Sequence, residues 1–415
     1  MIHSKIRQIV SDPVYQIAFG IFLVLSFYTS HLYLPYDRNC FQTWCVYIFE
    51  NGLAQSYHCP EPEMNYPPLM SYVLWLFGQL QGSSQEIIDN FHYFKIVGLF
   101  FDVLGALVVL KYLNNHASKV ALLLLMIANP FFIFNSYLWG QVDSILGFAA
   151  FAIFYFLNRK NLTGASIIFL LIANLKPQII VFVPPLILYA LYSFHKELRW
   201  KDVILSLMIC LAIQLAILLP FIIHHEMQGV INVYKNAVGY HPKVSIAAFN
   251  IWVFLLGDQC FHLSDELKAG ILTYKQIGLV MFFVSSAIAL LPLFLATASK
   301  FLKKSFLKID DHIVLLSFSL IPLLFFYFNT QMHERYSHPA FLFIAAYSFA
   351  TNRKYLFLFF SFVYFCNLEP RLYGLGLHNY EILIFNPYFV ASCYLFLIGS
   401  LYFLLYKHYI ALNRQ

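Results

Sequence analysis

Charge is what this chain has least of: only 11% of its 415 residues are Asp, Glu, Lys or Arg, against 60% hydrophobic. A soluble globular chain carries roughly 25% charge. The deficit excludes a water-soluble protein of any size, because exposed surface grows with every added domain and has to be wetted by polar groups. Most of this surface must instead face hydrocarbon. The seven cysteines lack metal-ligand spacing, and although Cys40, Cys45 and Cys59 share one loop, nothing in the sequence fixes the geometry of a disulfide, so free thiols are expected. Internal repeats and low-complexity tracts are also missing. The net charge of +6 does not point to nucleic acid, because it reflects where Lys and Arg sit along an apolar chain.

What is present is length in apolar runs and an abundance of rings. The 45 Phe and 29 Tyr suit lipid-facing helices and the interfacial belt. The first run, from about Val14 to Leu34, is too long for the core of a signal peptide and lacks a small-residue cleavage site, so an uncleaved first helix is expected. A membrane helix needs about 20 apolar residues. Breaks at charges and turn residues then give an all-α, polytopic membrane protein with about 12 spans. They fall near 14–34, 91–113, 119–137, 141–158, 162–175, 177–194, 202–223, 276–299, 312–328, 338–350, 355–368 and 388–406. With both ends in the cytoplasm, every short cytoplasmic connection carries Lys or Arg, as at Lys111, Arg159, Lys160, Lys303 and Arg353, in agreement with the positive-inside rule. One domain is expected, with long extracytoplasmic loops at about 35–90 and 224–275. In the first loop Phe41, Trp44, Cys45, Ile48 and Phe49 recur at helical spacing. That helix is too short to span and is expected to lie in the interface plane.

Charges at membrane depth cost about 2.5–3.5 kcal/mol each and by default mark functional sites. Five groups stand out at the expected extracytoplasmic helix ends. Asp37 directly follows the first helix, where an N-cap is the plain structural reading. Asp143 lies in Trp139-Gly140-Gln141-Val142-Asp143-Ser144, in a first helical turn that favours a carboxylate. Lys176, in Leu175-Lys176-Pro177-Gln178, separates two apolar runs, and snorkelling competes with function there. Gln331-Met332-His333-Glu334-Arg335-Tyr336-Ser337-His338-Pro339 is the densest group. Its histidines are five apart, unlike a helical His-Glu-x-x-His zinc site, whereas Arg and His suit a phosphate. Glu369-Pro370-Arg371-Leu372-Tyr373 adds a second arginine. Together they suggest a cavity with carboxylates in one part and cations in another, as transfer of a group from a phosphate-linked lipid to a hydroxyl requires.

These residues resemble a known family. Asp37 after the first helix, Asn65-Tyr66-Pro67-Pro68-Leu69, Trp139-Gly140-Gln141-Val142-Asp143-Ser144, Lys176-Pro177-Gln178, Ala248-Phe249-Asn250-Ile251-Trp252 and Met332-His333-Glu334-Arg335-Tyr336 occur in one order. They are similar to prokaryotic GT-C glycosyltransferases related to the GPI second mannosyltransferase, and more distantly to the dolichyl-phosphate-glucose enzymes. The resemblance runs from about Asp37 to Tyr373. It implies a GT-C fold and a polyprenyl-phosphate sugar as donor, with Asp37 as the catalytic base and His333 and Arg335 at the donor phosphate, where Lys176 is expected to join them as a further cation. Glu63, Tyr66, Trp139, Gln141, Asp143, Gln178, Glu334, Arg371 and Tyr373 are the expected substrate-binding residues. The first loop lacks tandem acids, so no divalent metal or other cofactor is expected. A soluble sugar-binding domain is not evident either, which argues against oligosaccharyltransferase-like activity.

The expectation is therefore an inverting hexosyltransferase, with mannose favoured over glucose, acting on a lipid-linked or cell-envelope glycan. It would sit among membrane lipids of a bacterial inner membrane, its site facing the periplasm or exterior. A transporter or flippase for a lipid-linked sugar is the competing class. It would use the same cations and aromatics, but transporters commonly have repeats and helices broken at the midplane.

Overall fold

The computed structural model describes residues 35–113, 133–236, 241–302, 307–372 and 382–414, with scattered positions between 13 and 27 and at 123, 126 and 129. The expected spans at 14–34 and 119–137 fall largely outside the described residues, as does Tyr373. The described chain is mostly helical.

Its first helix, α1 (Pro35–Asn51), bears out the periodicity read in the first loop, but its apolar face meets protein. Phe41, Trp44, Cys45 and Ile48 are all buried, against α2 (Pro68–Gln81) and the aromatic rings of Tyr66 and Phe94. Seventeen residues are too few to span, and a folded loop offers the same apolar stripe a drier partner than the headgroup region. Pro67-Pro68 starts α2, where a missing N–H costs nothing. Gly82, at φ 85°, ends it by donating to the Gly78 carbonyl.

Five described helices are long and apolar enough to cross a membrane. They are α3 (Ser84–Leu113), α7 (Trp200–Ile223), α10 (Tyr274–Leu302), α11 (Asp311–Phe328) and α14 (Pro387–Asn413). Between them lie α4 (Asp143–Asn158), α5 (Leu162–Ala173), α6 (Val183–Ser193), α8 (Met227–Asn236), α9 (Ile251–Leu256), α12 (Phe341–Ala350) and α13 (Lys354–Leu372). The breaks at Arg159, Lys176, Arg199 and Arg353 therefore fall where charge placed them, but several of the helices between are shorter than a full span.

Helix α11 is the axis. It is 78% buried, whereas α7 is 11% buried and presents Leu207, Met208, Leu211 and Leu215 outward. In water such a helix would be an aggregation site; in hydrocarbon it is the outer wall. Around α11, the rings of Phe151, Phe154, Phe182, Phe318 and Phe343 lie 5.2–6.4 Å apart and form the centre of the core. Helices α10, α12 and α14 pack directly on α11.

Among the described residues, strands are two-residue pieces that helix-based reading does not foresee. Strand β1 (Ser245–Ile246) pairs in parallel with β4 (Met332–His333), and β2 (Lys268–Ala269) pairs antiparallel with β3 (Leu272–Thr273). The β1–β4 pair matters most, because it fastens the second long loop to the His-Glu-Arg segment. All seven cysteines are free thiols.

Candidate functional site

One polar cluster is built from five separate stretches of chain. The first turn of α1 supplies Asp37. A single oxygen, Oδ2, accepts from Trp139 Nε1 at 2.7 Å and from Gln141 Nε2 at 2.8 Å, and no described residue donates to Oδ1. Trp139 and Gln141 are held by the turn before α4. There Gly140 takes φ 76°, which L side chains rarely adopt, and a Cβ would stand 2.9 Å from Lys95 Cγ. The Lys95 ammonium in turn donates to the Tyr137 carbonyl at 3.0 Å.

Behind that turn Asp143 opens α4 and is 2% exposed. Its Oδ1 accepts from Lys176 Nζ. Its Oδ2 stands 3.0 Å from Arg335 Nε without the alignment of a hydrogen bond. Lys176 is 3% exposed, so its ammonium does not snorkel. Arg335 donates from Nη1 to Glu334 Oε1 at 2.9 Å, and its guanidinium lies over the Trp139 ring at 4.8 Å and the Tyr336 ring at 5.6 Å. Trp139 therefore joins two functional candidates, its N–H on Asp37 and its face on Arg335. No described residue accepts a hydrogen bond from Arg335 Nη2. Leaving so many ions dry is expensive, and only mutual pairing makes it tolerable.

The second loop holds this segment in place. Asn367 donates to the Glu334 carbonyl and accepts from the Phe249 amide at 2.9 Å. Asp265 accepts from the Thr330 hydroxyl at 2.7 Å and from Gln331 Nε2 at 2.8 Å. Asn250 and Trp252 donate to carbonyls at the end of α11. Ala248-Phe249-Asn250-Ile251-Trp252 is thereby a brace for the His-Glu-Arg segment.

The expected separation of acids from cations is not what the structure has. Asp143 lies between Lys176 and Arg335, and Glu334 lies on Arg335, so the charges alternate. The reason is burial: a cluster of like charges without water would repel, whereas alternation neutralises it. His333 also differs from a fixed cation. Burial, with Arg335, His241 and Lys176 nearby, holds its pKa well below the usual imidazole range, so it offers a neutral ring. Burial pushes the Glu334 carboxyl up, against the pull of Arg335 and Arg371. The Tyr336 phenol is pushed up to about 12, also chiefly by burial.

A small open pocket lies beside the cluster, lined by Asp143, Lys176, Gln178, Phe182, Phe325 and Tyr336 among others. Tyr66 packs on Phe41 and Trp44 at ring separations of 5.3 and 5.9 Å and feels the charges of Arg335, Asp143 and Asp37. Glu63 is exposed on its loop, and no ion pair joins it to the cluster among the described residues. Arg371 is exposed but close enough to influence Glu334 and His333.

Two further residues belong to this region. His338 is buried against Gly147 of α4, its Nδ1 3.5 Å from where a Cβ would sit, and its ring interacts with Asp143. Asp102 is 2% exposed inside α3, beside Ser136 and within electrostatic range of Asp143. Its signal was available: a carboxylate in the middle of an apolar run, Phe101-Asp102-Val103. Asp265 and Asn367 carry no such signal, because loop acids and helix-end amides are ordinary in sequence. No family model matches the chain, and neither does any curated protein, so fold and site geometry are what bear on its function.

Proposed function

We propose that this chain is an inverting glycosyltransferase of GT-C type, moving one hexose from a polyprenyl-phosphate carrier to a lipid-linked or cell-envelope glycan on the extracytoplasmic side. The observation that carries the reading is the Trp139 bridge. A carboxylate with one anchored oxygen and one to which no described residue donates, and a guanidinium with a nitrogen that no described residue accepts from, share the two functional parts of one indole. Asp37 Oδ1 takes the proton of the acceptor hydroxyl as its oxygen attacks the anomeric carbon. The bond from that carbon to the phosphate oxygen breaks, and the phosphate leaves with the electron pair. Arg335 Nη2 and Lys176 meet the departing charge, and His333 adds a neutral donor. One displacement with one base inverts the anomeric centre. Asp143 sets the positions of both cations, Gln141 and Trp139 aim Asp37, and Gln178 and Tyr336 line the pocket for the sugar or its phosphate. Mannose is the favoured cargo, and glucose is the alternative.

The cluster neutralises itself before any substrate arrives, so a phosphate must compete with Asp143 and Glu334 for Arg335. The test is transfer of labelled hexose from a synthetic polyprenyl-phosphate sugar to lipid-linked acceptors in proteoliposomes without an energy source. Labelled glycan with inverted configuration is the expected product. Movement of intact donor across the bilayer without transfer would favour the flippase reading instead.

A further inference from the structure

At the other end of α11 three ligating side chains from two helices converge. Asp310 caps the helix, its Oδ1 accepting from the Ile313 amide at 3.1 Å. That bond fixes the carboxylate and turns Oδ2 toward two imidazoles: His408 Nε2 of α14 at 2.6 Å and His312 Nδ1 at 3.8 Å. The three ligand atoms all lie within 4.8 Å of one another, and among the described residues this is the one such group of three. We propose that Asp310, His312 and His408 bind a divalent transition metal of the zinc class, in a site remote from Asp37.

Four observations support it. The donor set, two imidazoles and one carboxylate, suits zinc and its first-row neighbours rather than magnesium or calcium. A tetrahedral ion with bonds of about 2.0–2.2 Å holds its ligand atoms roughly 3.4 Å apart. The 2.6 and 3.8 Å separations from Asp310 Oδ2 bracket that value, and the two imidazole nitrogens lie within 4.8 Å of each other, so side-chain adjustment would admit the ion. The carboxylate is already oriented by the hydrogen bond its other oxygen accepts from the Ile313 amide, as metal-ligating carboxylates commonly are. All three side chains are 35–38% exposed, which leaves an entry path and a fourth position for water. Hydrogen bonding between Asp310 and His408 alone would account for one contact, but not for His312 turned to the same oxygen.

The site is distinct from the proposed transferase centre. Helix α11 has 18 residues, so its two ends are separated by about 27 Å. Bound metal would fasten the N-terminus of the most buried of the five long apolar helices to α14, a structural role independent of the reaction.

The experiment uses the full chain in detergent, stripped with a chelator and titrated with Zn²⁺ by calorimetry and with Co²⁺ by visible absorption. One equivalent should bind, Co²⁺ should give the ligand-field bands of a four- or five-coordinate site, and Zn²⁺ should raise the thermal midpoint. His408→Gln keeps an amide donor for Asp310, and so the fold. It should weaken binding at least 10-fold and abolish the midpoint shift, as should His312→Gln. Absence of binding to the wild type overturns the proposal. So does an equivalent that survives both substitutions, since it would reside elsewhere, for example at His241 and His333.

Discussion

Two ends of the same bundle carry ionic groups of the same kinds in opposite settings. At one end Asp143, Lys176, Glu334 and Arg335 are at most 8% exposed, and each carboxylate touches a cation. At the other, Lys160–Glu197, Arg199–Asp202 and Asp310–His408 have side chains between 35 and 66% exposed. Exposed pairs are the ordinary means of wetting helix ends and contribute about 0–1 kcal/mol each. Buried pairs generally add no more stability than a hydrophobic filling of the same volume would. A chain with so little charge nevertheless keeps its ions dry at one end, and the proposed function accounts for this by what they would bind. Position on the helices does not distinguish the two ends; burial does.

The sharpest way to break this contrast is to remove the ion at the centre of the buried end. Asp143→Ala leaves Lys176 and Arg335 dry and facing each other, so a loss of about 3–5 kcal/mol is expected, read from thermal unfolding in detergent. A loss under about 1 kcal/mol would mean that the cluster is as wet as the opposite end. Asp37→Asn should leave that midpoint nearly unchanged, because the amide oxygen can still accept from Trp139 and Gln141. Turnover should fall about 10²-fold or more, equivalent to about 2.7 kcal/mol of barrier. Substantial activity in Asp37→Asn alongside an inactive, folded Asp143→Asn would move the base to Asp143.

Arg335→Lys tests the fork. It keeps one charge near Asp143 and Glu334 but loses the planar set of donors. Apparent donor affinity should drop about 10-fold, the scale of one charge-assisted hydrogen bond, with folding retained. Unchanged donor affinity in the folded variant would take Arg335 out of the donor site.

These variants start from residues that the sequence already marks, and the reason is physical. A charge in an apolar run has few tolerable explanations, so Asp143, Lys176 and Arg335 stood out one by one, whereas Asp37 alone read as an N-cap and was singled out by the family resemblance; helix ends near Arg159, Arg199 and Arg353 were legible from the same breaks. Their arrangement was not. That Asp143 sits between two cations depends on α4, the Lys176 turn and the Arg335 segment meeting, which no local spacing encodes. The amphipathic stripe of α1 was legible as a stripe, but whether lipid or protein covers it depends on where α2 folds. Asp265 and Asn367 were illegible because each acts by bonding a distant backbone or side chain. His333 was read as a phosphate ligand, yet its neutral state comes from burial that sequence does not report.

That neutral state gives a pH test. The folded pKa of His333 is depressed, so the unfolded chain binds a proton that the folded chain resists as pH falls below about 6.5. The His333 contribution to stability should be flat above that value and decline below it. His241 faces His333 at a ring separation of 5.7 Å and is likewise held low by burial and by Lys243 and Arg335, so it contributes to the same slope. His333→Gln should reduce the proton uptake on unfolding by about one. An unaltered slope would mean that His333 titrates normally in the folded protein.

The smallest effect belongs to the wet end, and its smallness is what the contrast requires. Glu197 stands 3.1 Å from Lys160, with side chains 63 and 44% exposed. Water solvates both ions whether or not they meet, and two long side chains lose rotamer freedom in meeting, so attraction and entropy nearly cancel. Lys160 also donates to the Ser193 carbonyl, an anchor that Glu197→Gln does not remove. That substitution should change stability by no more than about 0.5 kcal/mol, and raising salt should leave the difference near zero. Since Asp143→Ala removes the same chemical group from the dry end, the ratio of the two losses measures how far burial separates them. If Glu197→Gln cost as much as Asp143→Ala, the two ends would be energetically alike, and retention of buried charge would no longer single out one of them as a site.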